Sequence, residues 1–380
     1  MSPIEAESRS RVGVVLFQLG GPDSLEAVEP FLYNLFCDPD IIDFPLARLA
    51  REPLARLVSS RRARRVQKHY ARIGGRSPLR ELTELQARRL ESELRNSLDA
   101  HVFVAMRYWH PLTEEAVRQV LNHQVRRLVL LPLYPQFSVV TTGSSLKEWE
   151  RNFSPGHPVD VRIVRDYHTH PLYIEAIVER VNEGLEQFRQ TNGSALRLPS
   201  DVHLLFSAHG VPETIIKSGD PYQAQIEATV RLVMERGAWP NPHSLCYQSR
   251  SGPGRWLGPS LHAALQTLAS RGSERVLVVP ISFVSDHVET LYEIDIEARE
   301  LAERLGIQRF HVTMGLNGSP TFIRALADLV LQALAGPQTA EVLTNARPYG
   351  RLLTWTLTKR PSGACEVAAL TSPAKPRRQD

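Results

Sequence analysis

The stretch LLFSAHGVPE, Leu204 to Glu213, ends an apolar run in a serine, an alanine, His209 and a glycine. An apolar run without alternation is the pattern of a strand covered on both faces, and in an open parallel sheet ligands bind beyond the carboxyl ends of the strands. An imidazole delivered there can take a proton near neutral pH or offer a nitrogen lone pair to a metal. A loop histidine serves structure more often than chemistry; its place at a strand end is what brings His209 forward.

A second strand end, in PISFVSDHVETLYEIDIE, supplies the complementary group. Asp286 followed three residues later by Glu289 has capping-box spacing, which predicts a helix starting there and gives Glu289 a plain structural role. Yet Glu289, Glu293 and Glu297 fall at i, i+4 and i+8, three carboxylates along one helical face. Like charges so placed repel by about 0.2–0.5 kcal/mol per pair, so a cation should offset them. Nearby arginines or a passing divalent metal would both serve. An imidazole and a carboxylate from two strand ends can hold a metal weakly, move protons, or both, but they lack the further ligands of a permanent structural zinc site. His168 and His170 in DYHTH are weaker metal candidates, for which a structural role is the better reading. No G-x-x-x-x-G-K-[ST], G-x-G-x-x-G or G-x-S-x-G segment is present, which removes the common nucleotide and serine-hydrolase fingerprints.

These groups need a scaffold that presents strand ends. Val14–Phe17, Leu128–Leu133, Val202–Phe206 and Val276–Phe283 read as buried parallel strands, with further candidates at Val102–Met106 and Val159–Val164. Helical periodicity predicts helices over Leu82–Leu94, Thr113–Asn122, Leu172–Phe188, Gln223–Arg236, Leu261–Arg271 and Ile323–Leu334. Strand and helix alternate, so the class is α/β with parallel sheets. The halves also resemble each other: VVLFQLGGPDS from Val14 matches HLLFSAHGVPET from His203 on their phenylalanines, and RLVLLPLY from Arg127 matches RVLVVPIS from Arg275. On that alignment the first half is roughly 41 residues longer, and the excess falls between Asp40 and Gly75. This insert sets Leu46, Leu49, Leu54, Leu57 and Val58 among arginines ahead of a cluster of Arg61, Arg62, Arg64, Arg65 and Lys68. It reads either as a solvated helix pair or as an apolar lip on a basic root, suited to an anionic amphiphile or a phospholipid surface.

The 380 residues suffice for two domains. Expected bounds are a flexible N-terminus at 1–11, a first domain at 12–170 carrying the lip at about 40–75, and a second at 171–336 whose last helix packs back on the first. A C-terminal extension at 337–380 reads as partly disordered and is assigned no chemistry. With 45 Lys+Arg against 41 Asp+Glu the charge is too even for a nucleic-acid-binding surface, and no such partner is expected. Three cysteines without a C-x-x-C pair encode neither a disulfide framework nor a zinc ribbon and fit a reducing, cytoplasmic setting. The N-terminus lacks the apolar core of a secretory signal and no run is long enough to span a bilayer, so a soluble protein able to touch a membrane surface is expected.

Taken together, LLFSAHGVPE, SFVSDHVETLYEIDIE, FVAMRYWHPLTEEAV, SVVTTGSSL, SGDPY, QSRSGPGRWLGP and GLNGSP resemble the ferrochelatase family, in family order from about Val12 to Leu334. The resemblance implies insertion of Fe²⁺ into protoporphyrin IX to give protohaem and two protons, the last step of haem biosynthesis. It implies two Rossmann-like, chelatase-type domains with the porphyrin in the cleft between them. His209 and Glu289 match the pair to which iron binding and pyrrole proton removal are attributed. Glu293 and Glu297 match an acidic face proposed as a metal path, and Asp286 and His287 a hydrogen-bond network near Glu289. Arg62, Tyr70, Ser77, Arg107, Tyr108 and Trp256 match porphyrin-binding positions, and the insert coincides with the family's lip, thought to face a membrane.

The chain departs from animal members, whose [2Fe–2S] cluster uses four cysteines: Val139 stands at the first of these positions and the tail holds only Cys365, so no cluster and no permanent cofactor is expected, iron being a substrate. Members acting on coproporphyrin III carry a tyrosine where this chain has Leu19, which favours protoporphyrin IX. Two other readings stay open. One is a chelatase of the same fold for another tetrapyrrole or metal, such as cobalt into sirohydrochlorin; the other is a porphyrin carrier that binds without consuming iron.

Overall fold

The computed structural model describes residues 12–39, 47–95, 97–189, 200–249 and 254–336, with the side chains of 47–50 left aside. The expectations for Leu46, Leu49, Cys365 and the two termini lie outside the described residues or side chains. Two four-stranded parallel sheets form the scaffold. The first, ordered β2-β1-β3-β4, comprises β1 Val12–Gln18, β2 Ala100–Met106, β3 Arg127–Pro132 and β4 Asp160–Ile163. The second, ordered β6-β5-β7-β8, comprises β5 His203–His209, β6 His243–Gln248, β7 Arg275–Pro280 and β8 Arg309–Val312. The α/β class is as expected, and the equal strand orders express the internal repeat.

Register shifts the repeat by one residue. Phe17 pairs with Pro132, whereas Pro280 pairs with Ser207 and not with Phe206. Side chains alternate faces along a strand, so an offset of one inverts every position. Accordingly Leu16 and Phe206 both enter the central core, while Phe17 packs on the opposite face of its sheet. The counterpart of His209 in the first half is therefore Leu19.

The helices are α1 Val28–Cys37, α2 Ala47–Arg72, α3 Leu79–Leu94, α4 Thr113–Asn122, α5 Ser144–Asn152, α6 Pro171–Glu186, α7 Glu213–Lys217, α8 Tyr222–Gly237, α9 Leu261–Ser270, α10 Arg299–Arg304 and α11 Pro320–Ala335. Two π-helices, π1 Val139–Gly143 and π2 Glu289–Ala298, occupy equivalent places after β3 and β7. From Ala47 to Arg72 the insert is one 26-residue helix, α2, in place of the helix pair. None of the helices among the described residues is long and apolar enough to cross a membrane.

Each half lends a helix to the other sheet. α6, which follows β4, packs on β7, and the carbonyls after its last turn, Gln187 and Phe188, accept hydrogen bonds from Arg309 and Arg275. Both guanidiniums also lie over the Phe188 ring. α11, which follows β8, packs on β3 and β4, and its final carbonyls, Leu334 and Gly336, are held by Arg127 and Arg162. Cationic side chains at helix C-termini satisfy carbonyls that the helix leaves unpaired. One apolar core, from Val14 and Leu131 through Phe322 to Leu204 and Val279, consequently runs through both sheets and fixes the two sets of strand ends relative to each other.

Candidate active site

β5 delivers His209 at its last residue, beside the crevice where the strand order reverses between β5 and β7. Its backbone is held on both sides: the amide donates to Ser282 Oγ at 2.9 Å and the carbonyl accepts from Tyr222 Oη at 2.9 Å. The next residue has to be glycine. Gly210 N donates to the Gln248 carbonyl at 2.8 Å, and a Cβ on Gly210 would meet that same oxygen at 2.8 Å. A side chain there would push the chain off β6 and carry the imidazole with it. The His-Gly pair is thus one device, with the glycine permitting the close approach that aims the histidine.

Across the crevice the loop after β7 runs to π2. Asp286 does not cap a helix there: its Oδ1 accepts from Gly315 N and Thr290 Oγ1, both at 3.1 Å, and its Oδ2 accepts from Asn317 Nδ2 at 2.7 Å. The capping-box reading of Asp286 and Glu289 is corrected on this point, because the carboxylate ties two loops together and leaves Glu289 free to face β5. The α-helical face expected for Glu289, Glu293 and Glu297 is instead a π-helix, whose wider i→i+5 turn recurs at functional sites.

His209 Nδ1 donates to Glu289 Oε2 at 2.8 Å. Gln248 Nε2 at 3.2 Å and Ser249 Oγ at 3.1 Å donate to the same oxygen, and Ser249 Oγ also lies 2.5 Å from Glu293 Oε2. His287, buried, keeps its Nε2 4.0 Å from Glu289 Oε1 and donates from Nδ1 to the Ser285 carbonyl. Burial opposes charge on both partners of the central pair, but the pairing prevails. Glu289 raises the His209 imidazole above the ordinary histidine value, and His209, His287 and Gln248 hold Glu289 below the ordinary carboxylate range. Burial, then the charge of Glu289, pushes Glu293 up to about 7. The repulsion expected along the column is relieved by the imidazole at its head and by the raised proton affinity of its second member. Glu297 lies near His69, whose ring stacks on Tyr292 at 4.1 Å, and Arg72 pairs with Glu300 at 2.7 Å, so the base of α2 is docked on the acidic helix.

In the neutral ring, with Nδ1–H committed to a carboxylate, His209 Nε2 carries the lone pair. The imidazole is 37% exposed against 16% for Glu289. The arrangement offers one exposed basic nitrogen backed by a buried anion. It can accept a proton or ligate a metal transiently; among the described residues no group of three or more His, Cys, Asp or Glu could hold a metal ion.

Tyr70 and Tyr108 share an apolar cluster with Leu19 and with Val288, the neighbour of Glu289, so this cluster joins the halves beside the pair. Burial and then the charges of Glu289 and Glu293 push the Tyr70 phenol up. Ser77 lies against Gly21, which Tyr70 also approaches. Trp256 bridges to Pro212, its ring 3.7 Å from where a Gly210 Cβ would be, with a buried indole N–H that has no protein partner. Arg62 is exposed on α2, its guanidinium 5.5 Å over the Phe36 ring. Arg107 and Tyr108 are turned inward on Asp38: Arg107 pairs with it at 2.9 Å and bonds Ser144 Oγ at 2.9 Å, and Tyr108 Oη donates to it at 2.5 Å. His168 and His170 go to separate partners, Asp166 and Asp328, and are structural. The sequence reading missed Gln248, Ser249, Tyr222, Ser282 and Asp38; QSRSGP and SGDPY contain three of them, but only the strand register shows that Gln248 sits opposite His209.

The ferrochelatase family model matches residues 11–334. The chain is 48% identical over 332 residues to a ferrochelatase of Synechocystis sp., covering 86% of this chain and 84% of that protein. It is 50% identical over 332 residues to a ferrochelatase of Gloeobacter violaceus, covering 86% of this chain and 98% of that protein.

Proposed function

The chain belongs to the ferrochelatase family, and from that premise we propose that it metallates protoporphyrin IX through the His209–Glu289 pair. The activity itself, insertion of Fe²⁺ into a porphyrin for haem synthesis, is that of a metal chelatase and follows from family membership. The residue roles and the choice of porphyrin are our reading, carried by the 2.8 Å hydrogen bond that leaves a basic His209 Nε2 at the crevice.

Metallation requires two pyrrole N–H protons to leave while the metal takes their place. His209 Nε2 accepts the first, and the imidazolium that results is stabilised through Nδ1 by Glu289. Glu293, at about 7, and Glu297 continue the acidic path away from the pair and can exchange protons or lead the cation in. Tyr70, Ser77, Arg62 and Trp256 are assigned to contacts with the macrocycle. Arg107 and Tyr108 hold the wall behind it through Asp38, while Asp286 and His287 shape the approach to Glu289. Leu19, apolar at the place equivalent to His209, favours the less carboxylated substrate.

No permanent cofactor is needed for this chemistry, and no iron–sulfur cluster is proposed: Val139 is not a ligand, and Cys37 and Cys246 are the cysteines among the described residues. The lip is proposed to meet a membrane surface from the cytoplasm. Leu54 and Leu57 are 42% and 47% exposed on α2, among exposed Arg56, Arg61, Arg64 and Arg65. Cosedimentation with anionic vesicles should be strong for the full chain and weak for Leu54→Glu/Leu57→Glu; equal sedimentation would remove the lip from membrane contact.

The decisive assay is anaerobic turnover, followed by loss of porphyrin fluorescence. Protoporphyrin IX with Fe²⁺ is expected to exceed coproporphyrin III by at least tenfold in kcat/KM, on the order of 1.4 kcal/mol of discrimination. Preference for coproporphyrin III, or Co²⁺ insertion into sirohydrochlorin without Fe²⁺ activity on protoporphyrin, would overturn the substrate assignment. Tight porphyrin binding with no metallation would favour a carrier.

A further inference from the structure

Gln86, on α3 of the first half, is fully buried and reaches into the second. Its Nε2 donates to Ser285 Oγ at 3.0 Å and to the Asn317 carbonyl at 2.8 Å, while its Oε1 is buried without a protein partner. A buried polar atom left unpaired is unfavourable, so the glutamine is to be explained by what its Nε2 holds rather than by its Oε1.

What Gln86 grips explains it better. Asn317 has a left-handed backbone, φ 46°. Its side chain clasps Asp286 twice: Nδ2 donates to Asp286 Oδ2 at 2.7 Å and Oδ1 accepts from Asp286 N at 3.0 Å. Its own amide donates to the Val284 carbonyl at 2.8 Å. Asp286 in turn accepts from Thr290 Oγ1 at 3.1 Å, and His287 N donates to that hydroxyl at 3.0 Å. Glu289 sits inside this loop of bonds, between Asp286 and Thr290. Its backbone is therefore fixed by a clamp anchored at Asn317, and Gln86 holds Asn317 and Ser285 from the opposite half.

We propose that Gln86 and Asn317 are positioning residues that set the orientation of Glu289 toward His209 across the cleft. α3 begins two residues after Ser77, on the wall assigned to the porphyrin, so a single helix carries both that wall and the grip on the Glu289 clamp. The inference rests on the role proposed for Glu289.

The test uses the full chain with Gln86→Leu, Asn317→Gly and the double variant, beside Glu289→Gln. Gly tolerates the left-handed backbone at 317 and leaves its main-chain bonds in place. Each single variant is expected to lose roughly tenfold in kcat, the scale of a modest misplacement of a reacting group, with the porphyrin KM and dissociation constant within about twofold of wild type. The double variant should be no slower than the slower single, since both act through one clamp. Gln86→Met, apolar and of similar volume, replaces Gln86→Leu if the latter does not fold. Unchanged kcat in the folded variants, a loss confined to KM, additive losses, or failure of both apolar variants to fold would overturn the proposal. Full activity of Glu289→Gln would overturn the role of Glu289 and the inference built on it. An inactive Glu289→Gln beside a fully active Gln86→Leu would overturn the positioning role alone.

Discussion

His209→Ala is expected to lower kcat for iron insertion by about 10²–10⁴, the range for removing a positioned acid–base group, while porphyrin still binds. The side chain's only hydrogen bond among the described contacts is to Glu289, and its backbone is held independently by Ser282, Tyr222 and the strand, so truncation removes the base without releasing the loop. Glu289 would lose its principal counter-charge and would sit, largely buried, against the donors Gln248 and Ser249. Its carboxyl should then titrate higher, which leaves the crevice with neither an exposed base nor a stable anion. Porphyrin fluorescence quenching measures binding, and anaerobic metallation measures turnover on the same preparation. A variant turning over within about threefold of wild type would show that pyrrole deprotonation does not depend on positioned general-base catalysis by this imidazole.

The central strands of both sheets were legible because parallel strands buried on two faces are written as uninterrupted apolar runs. The edge strands of the first sheet were legible as well, but those of the second were not. β6, HSLCYQ, and β8, RFHV, are short and partly exposed, and their polar residues match no strand period. The repeat was legible but misaligned: two phenylalanines drew the eye, and only ladder register shows that they face opposite sides of their sheets. The insert's leucines and arginines announced an amphipathic element, whereas its continuity through Pro53 as one helix is not written in that pattern.

At the site, His209 at the end of β5 and Glu289 beyond the loop that follows β7 could be found from the strand-end rule, and their pairing follows from β5 and β7 being neighbours. The π-helix could not, because carboxylates spaced by four read as one face of an ordinary helix. Gln248 and Ser249 were hidden behind the unrecognised β6. Arg107 and Tyr108 were visible as a motif, but their commitment to Asp38 depends on a contact about 70 residues away in sequence, beyond any local signal.

Glu289→Gln should be nearly as damaging as loss of the histidine, and for a separable reason. The amide keeps the shape of the side chain and can still accept one hydrogen bond from His209 Nδ1, so the crevice should bind porphyrin normally. What disappears is the negative charge that raises the imidazole above its ordinary value and stabilises the imidazolium formed when a pyrrole proton arrives. An uncharged partner can also turn its NH₂ toward Nδ1, which selects the tautomer with the proton on Nε2, the nitrogen that has to be free. Loss of the correct tautomer and of the counter-charge together is expected to cost about 10²–10⁴ in kcat, by analogy with other carboxylate-oriented histidines. Glu289→Asp separates the causes: it retains charge but retracts the oxygen from its 2.8 Å contact, and an intermediate loss is expected. If Asp is as slow as Gln, position governs; if Asp is near wild type, charge governs. Should Gln itself turn over normally, Glu289 would be a structural member of the π-helix and the proton path would have to leave His209 by another route.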